Sequence, residues 1–143
     1  MKRKGSQGMA KQKPNRKSWI TQQLRRLSMK WPPRGRAAKL YRRELPRKLK
    51  QDGTPYKKPN YEYQCQECNN WFRSSDTVMD HIVPVVSPHD IVAKTEEEFI
   101  GKFAVSLLCY EDNWQRLCCP CHDIKTENEN KIRKDVKKVD KSV

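Results

Sequence analysis

Seven residues between positions 65 and 122 carry side chains that hold metals or move protons, at spacings such chemistry uses. Cys65-Gln66-Glu67-Cys68 and Cys118-Cys119-Pro120-Cys121 form two C-x-x-C pairs, the dyad Asp80-His81 lies between them, and His122 directly follows the last cysteine. Two C-x-x-C pairs supply four thiolates, the ligand number of a closed tetrahedral zinc site. Cys65, Cys68, Cys118 and Cys121 are therefore expected to bind one structural Zn²⁺, which has no open position for a substrate. Cys119 sits between two ligands and cannot comfortably reach the same ion. Cys109 has no partner at ligand spacing and reads as a small buried hydrophobe.

Asp80 and His81 are neighbours on the extended-looking stretch Val78-Met79-Asp80-His81-Ile82-Val83-Pro84, so their side chains point to opposite sides. Asp80 can then face a second metal while His81, neutral at pH 7, faces and activates a water. His122, fixed by its neighbour Cys121, would be the second ligand. A carboxylate and an imidazole leave most coordination positions to water and phosphate oxygens, which suits a divalent ion that polarises a phosphate. Standing alone, an Asp-His pair is as often an ordinary surface feature.

The elements that must position these residues are few. The chain has 143 residues, 35% of them hydrophobic, and a mean hydropathy of −1.06. A core that small usually needs a staple. No apolar run approaches the ~18 residues of a membrane span, and no apolar stretch follows the basic N-terminus as in a secretory leader. A cytoplasmic protein with reduced, metal-binding cysteines is therefore expected. Charge is unevenly placed. Residues 1–60 hold 20 Lys/Arg against 2 Asp/Glu, residues 61–130 hold 5 against 13, and residues 131–143 hold 6 against 2. Basic flanks of this density fit a polyanion such as DNA, bound mainly through backbone phosphates, though a solubilising tail has the same composition.

Residues 1–17 read as a disordered basic arm. Residues 18–60 read as a basic helical region and linker. A helix starts with Ser18 as N-cap and ends before Trp31-Pro32-Pro33; a second runs from about Gly35 to Glu44; Pro46 and Gln51-Asp52-Gly53 then mark a linker over 47–60. Trp19 and Trp31 read as core anchors. Arg25, Arg26, Lys30, Arg34, Arg42 and Arg43 are the candidate DNA-contacting cations here, with Lys125 further on. From Tyr61 the pattern becomes a cysteine turn leading into a β-hairpin. Residues 87–110 form a long connection in which Thr95 caps a helix beginning Glu96-Glu97-Glu98; His89 reads as a loop residue. Pro120 starts a helix that carries His122 and Lys125, and residues 129–143 form a basic tail. The fold class expected is α+β.

The ordered set Cys65-x-x-Cys68, Asp80-His81-Ile82-x-Pro84, Asn113-x-x-x-Leu117-Cys118-x-x-Cys121-His122-x-x-Lys125-Thr126 resembles the HNH endonuclease family in its ββα-metal form with zinc-binding cysteine pairs. The likeness covers residues 61–128, with 87–110 as an insertion. The resemblance implies that Asp80 and His122 bind the catalytic metal, that His81 is the general base, and that Asn113 restrains the loop that orients it. Thr126 stands where some members have a further histidine, so more water is expected on the ion, favouring Mg²⁺ or Mn²⁺. The segment from Ser18 to Arg34 is similar to the arm preceding the HNH module in small free-standing bacteriophage endonucleases. That likeness implies a phage protein acting in the host cytoplasm, in homing or in genome packaging beside a terminase. The rival expectation is a zinc-stabilised DNA-binding protein without catalysis.

Overall fold

Helix α1 spans Arg16–Ser28. Its N-cap is Asn15, whose Oδ1 accepts a hydrogen bond from Ser18 N at 3.0 Å, so Ser18 is inside the first turn and not the cap. The computed structural model of the chain describes residues 13–86 and 95–141. Most of the expected disordered arm (1–12) and His89 lie outside the described residues. Pro32 and Pro33 begin α2, Pro32–Ala37, where their missing N–H groups cost nothing.

The second helix expected to reach Glu44 stops at Ala37. Tyr41 adopts a left-handed backbone (φ 56), and the chain enters strand β1, Arg42–Leu45. β1 pairs antiparallel with β2, Asn60–Gln64, which pairs in turn with β3, Trp71–Phe72. The expected linker is thus the far end of a β-ribbon. Tertiary pairing overrides weak helix propensity here. Arg42 opposes Tyr63 and Arg43 opposes Glu62. The Arg43 guanidinium donates to the Glu62 carboxylate at 2.7 and 3.0 Å, a cross-strand pair of the kind that fixes register.

The second sheet is a hairpin of β4, Thr77–His81, and β5, Trp114–Cys118, with Thr77 opposite Cys118 and His81 opposite Trp114. Alternation divides its side chains between two faces. Val78, Asp80, Gln115 and Leu117 face α4, Cys119–Asp140; Met79, His81, Trp114 and Arg116 face the other way. Buried Leu117, Cys65 and Cys118 form a core with Phe72, Val78 and Cys121. Full burial of one leucine of this kind contributes ~2–3 kcal/mol.

The other face packs against the N-terminal half through Arg116. Its guanidinium donates to Thr77 Oγ1 at 2.8 Å and to the Ala38 carbonyl at 3.0 Å, and lies 3.9 Å from the Tyr63 ring centroid. The chain between the hairpin strands carries α3, Glu96–Leu107, capped by Thr95 as expected, with Oγ1 accepting from Glu98 N at 3.1 Å. α3 packs on α1. Arg16 reaches Glu96 and Glu97, and Lys17 and Arg25 sit over Phe99 and Phe103. The connection thereby docks the N-terminal helix. Trp31 donates Nε1–H to the Cys109 carbonyl at 2.7 Å and anchors as expected. Trp19, at 60% exposure, does not. No helix among the described residues is long and apolar enough to cross a membrane.

Candidate metal centre and catalytic site

The sulfur atoms of Cys65, Cys68, Cys118 and Cys121 lie within 4.8 Å of one another. Cys65 follows β2, Cys118 ends β5, and Cys121 is in the first turn of α4. The first pair is bent into a tight turn by Asn69, whose left-handed backbone (φ 61) lets its N–H reach the Cys65 carbonyl at 2.8 Å. Asparagine tolerates that conformation better than most residues.

Gln66 locks this turn to β5. Its N–H donates to the Arg116 carbonyl at 3.0 Å, and its Oε1 accepts from Arg116 N at 2.8 Å. Sequence reasoning passed over Gln66, although it is what sets the two cysteine pairs side by side.

The donor chemistry fits a thiophilic cation. Burial pushes the Cys65 thiol up, but N–H groups of Cys68, Cys118 and Glu67 outweigh it and bring the pKa down to about 7. The crowding of Cys121 by Cys118, with burial, pushes its thiol up to about 12. Burial likewise raises Cys118. Four sulfurs this close suit a divalent ion, which would remove the penalty of gathering thiolates. These four cysteines could hold a metal such as zinc, in agreement with the spacing. Cys119 is exposed and Cys109 is half-buried, so the latter is less covered than expected.

Asp80 and His81 project to opposite faces of the hairpin, as expected. Asp80 faces α4, where Lys125 Nζ lies 2.7 Å from Oδ2. The same ammonium is 2.6 Å from Glu129 Oε1 and 2.9 Å from the His81 carbonyl. Its three N–H donors thus meet three oxygens. Burial opposes the charge on Lys125, but the hydrogen bonds to Asp80 and Glu129 outweigh it and raise its pKa. Lys125 therefore neutralises a carboxylate of its own chain, where a phosphate had been expected. Gln115 adds a weak contact to Asp80 at 3.4 Å. Glu129 and Gln115 were not legible as site residues. An open cleft of about 430 Å³ runs along this face, lined by Ile82, Gln115, Lys125 and Glu129 among others.

His122 is half-exposed in the second turn of α4, three residues before Lys125 and so on the same side of the helix. Its Nδ1 is 3.8 Å from Asp123 Oδ1, and its carbonyl accepts from Thr126 Oγ1 at 2.9 Å. Asp80 and His122 form no cluster with a third metal-ligating side chain among the described residues.

His81 departs from expectation. It was expected to face water, but it is 9% exposed. Its ring packs 4.0 Å from that of Trp114, and Nε2 lies 3.2 Å from the Leu107 carbonyl at the end of α3. That carbonyl accepts only from a protonated Nε2, which leaves the lone pair on Nδ1. Burial lowers the imidazole pKa, so the ring is neutral near pH 7. The cause of the burial is the docking of α3, which hairpin periodicity does not reveal.

Asn113, in a 3-10 turn just before β5, behaves as a restraint. Oδ1 accepts from Val83 N at 2.8 Å, Nδ2 donates to the Val83 carbonyl at 3.3 Å, and the Asn113 carbonyl accepts from Ile82 N at 2.9 Å. The two residues after His81 are thereby tied to the start of the partner strand.

The candidate DNA-contacting cations divide. Arg25, Arg34 and Arg42 lie over the rings of Phe103, Trp114 and Tyr61, and Arg43 lies over Trp71 while pairing with Glu62. Of these four, Arg25, Arg42 and Arg43 remain exposed beside their rings. Arg26 and Lys30 are exposed. No family model matches the chain, and comparisons with curated proteins and with solved structures give no match.

Proposed function

We propose that the chain is a metal-dependent endonuclease of the HNH type that hydrolyses DNA phosphodiester bonds. The observation that carries the reading is the Asn113 side chain, bonded twice to Val83 and so fixing the backbone that presents Asp80 and His81. This is the role the resemblance assigns to that residue. His122 sits on the helix that packs against the Asp80 face. In this reading the Leu107 carbonyl holds the His81 ring through Nε2, and Nδ1 takes the proton of the attacking water. Because the ring is buried, the end of α3 must shift when substrate binds. Lys125 holds Asp80 aimed at α4. A Mg²⁺ or Mn²⁺ ion on Asp80 and His122 would supply Lewis-acid stabilisation of the phosphate and the departing oxygen. The setting that goes with this reading is a phage endonuclease in the host cytoplasm, acting in homing or beside a terminase in packaging.

Two observations favour a second reading, a zinc-stabilised DNA-binding protein without catalysis. His81 is enclosed, and Asp80 already has a cation in Lys125. Plasmid nicking in Mg²⁺ or Mn²⁺ separates the two. The expected result is nicking by wild type and a loss of ~10²–10⁴-fold in His81→Ala, with bound zinc and DNA affinity unchanged. Wild-type protein that binds DNA but cuts in neither metal supports the second reading.

A further inference from the structure

The β1–β2 ribbon continues well past its sheet. Leu49 pairs with Pro55, Tyr56 N donates to the Lys48 carbonyl at 2.8 Å, and Lys50 N donates to the Thr54 carbonyl at 2.7 Å. The tip is closed by Asp52, whose Oδ1 accepts from Thr54 N at 2.9 Å and Oγ1 at 2.6 Å, and by Gly53 at φ +82. Between the Leu49–Pro55 bridge and β2 the return strand has four residues, 56–59, against three, 46–48, on the outgoing strand. That extra residue is a bulge, which bends a ribbon and re-aims its side chains.

Every residue from 46 to 59 is exposed. The arm therefore contributes nothing to the core, yet its backbone is hydrogen-bonded to the tip. It carries Arg47, Lys48, Lys50, Lys57 and Lys58 against Asp52 alone. Lys48, Lys50, Lys57 and Lys58 line one open cleft of about 630 Å³ with Tyr56, Pro59 and Asn60. Among the described residues none of these four ammonium groups has an ion-pair partner, in contrast to Arg43 and Lys125. Four like charges on one exposed strip are unfavourable alone and call for a polyanion.

We infer that residues 46–59 form an arm that lies in the major groove of duplex DNA, with Lys48, Lys50, Lys57 and Lys58 on its phosphates. The inference rests on the DNA-directed reading above but not on catalysis. Dimensions agree. A two-stranded ribbon fits a groove ~12 Å wide, and seven residues at ~3.3 Å each reach ~23 Å from the sheet. The cations suit phosphates, so the arm supplies affinity and position more than sequence choice. Leu49, 65% exposed, and Tyr56, 51% exposed, give it apolar surface for the groove floor.

The test is anisotropy of a labelled 30-base-pair duplex across a salt series with full-length, zinc-loaded protein. Three proteins are compared: wild type, the arm variant Lys48→Gln/Lys50→Gln/Lys57→Gln/Lys58→Gln, and the charge-matched variant Lys134→Gln/Lys137→Gln/Lys138→Gln/Lys141→Gln at the end of α4. The arm variant should bind at least ~10-fold more weakly than the charge-matched one, and its log–log salt slope should be shallower by ~3–4 units, at ~0.9 per phosphate contact. Circular dichroism and zinc content should match wild type, because the altered side chains touch no core residue. Equal losses in the two variants overturn the arm while leaving DNA binding intact. A wild type that ignores duplex overturns the DNA-directed reading and the arm with it. Arm-dependent binding confined to single strands or RNA overturns the groove placement.

Discussion

The molecule contains two β-hairpins built on opposite principles. The β4–β5 hairpin has a protein neighbour on each face: α4 on the side of Asp80 and Leu117, and α3 with the Ala38 carbonyl on the side of His81 and Arg116. The outer β1–β2 ribbon has none, and all its side chains from 46 to 59 are exposed. Both are antiparallel and hydrogen-bonded, so backbone pairing does not distinguish them. What differs is where the side chains go. In the first, alternation sorts residues into a face with Asp80 and Leu117 and a face with His81 and Trp114, and a shift of one residue would exchange them. In the second, a turn sequence at the tip sets the register and the lysines take no part in folding. One hairpin is held by its surroundings on both faces; the other is open to solvent along its whole outer length.

The comparison breaks most readily at the cysteines. Cys65→Ser, or metal removal by a strong chelator, should abolish cooperative unfolding, since such sites contribute ~10 kcal/mol or more to folding. Near-ultraviolet circular dichroism with metal analysis reads this. A Cys65→Ser protein that melts like wild type would show the β4–β5 hairpin to be self-supporting. A matched pair of leucines gives the next largest effect. Leu117, 2% exposed, should cost ~2–5 kcal/mol when changed to Ala. Leu49→Ala in the arm should stay within ~0.5 kcal/mol. Chemical denaturation of both variants checks this, and equal costs would erase the distinction. The smallest effect is at the arm tip. Gly53 has φ +82 and open space around its Cα, so Gly53→Ala carries about 1 kcal/mol of purely local backbone strain. It should speed amide exchange at Lys50 and Tyr56 while leaving the global melting temperature unchanged.

How far these features were legible in the sequence depends on how local their causes are. The cysteine pairs, the Thr95 cap and Pro120 in the first turn of α4 are short-range chemistry, and the structure has each as read. β1 was misread as helix because Arg42-Arg43-Glu44-Leu45 carries no alternation of its own; its strand character comes from pairing with residues 60–63. Ser18 lost the cap to Asn15 because either side chain suits the position. The enclosure of His81 depends on Leu107, 26 residues away, and Lys125 meets Asp80 across 45 residues. Nothing in either neighbourhood announces the other. Arg25, Arg34, Arg42 and Arg43 show the same limit: basic composition reveals a charge but not the ring beside it.

The cysteine cluster also sets an order of assembly. Cys65 and Cys118 are 53 positions apart, so closing that loop costs on the order of 3–4 kcal/mol of chain entropy before any sulfur meets its ion. During synthesis the ribosome must deliver Cys121, near the end of the chain, before the first pair finds the second. Until then α1 and α3 can already meet, because both precede it. The nascent protein is thus expected to wait half-made, with its N-terminal helices docked and its hairpin open, and to become a single unit only when a metal arrives.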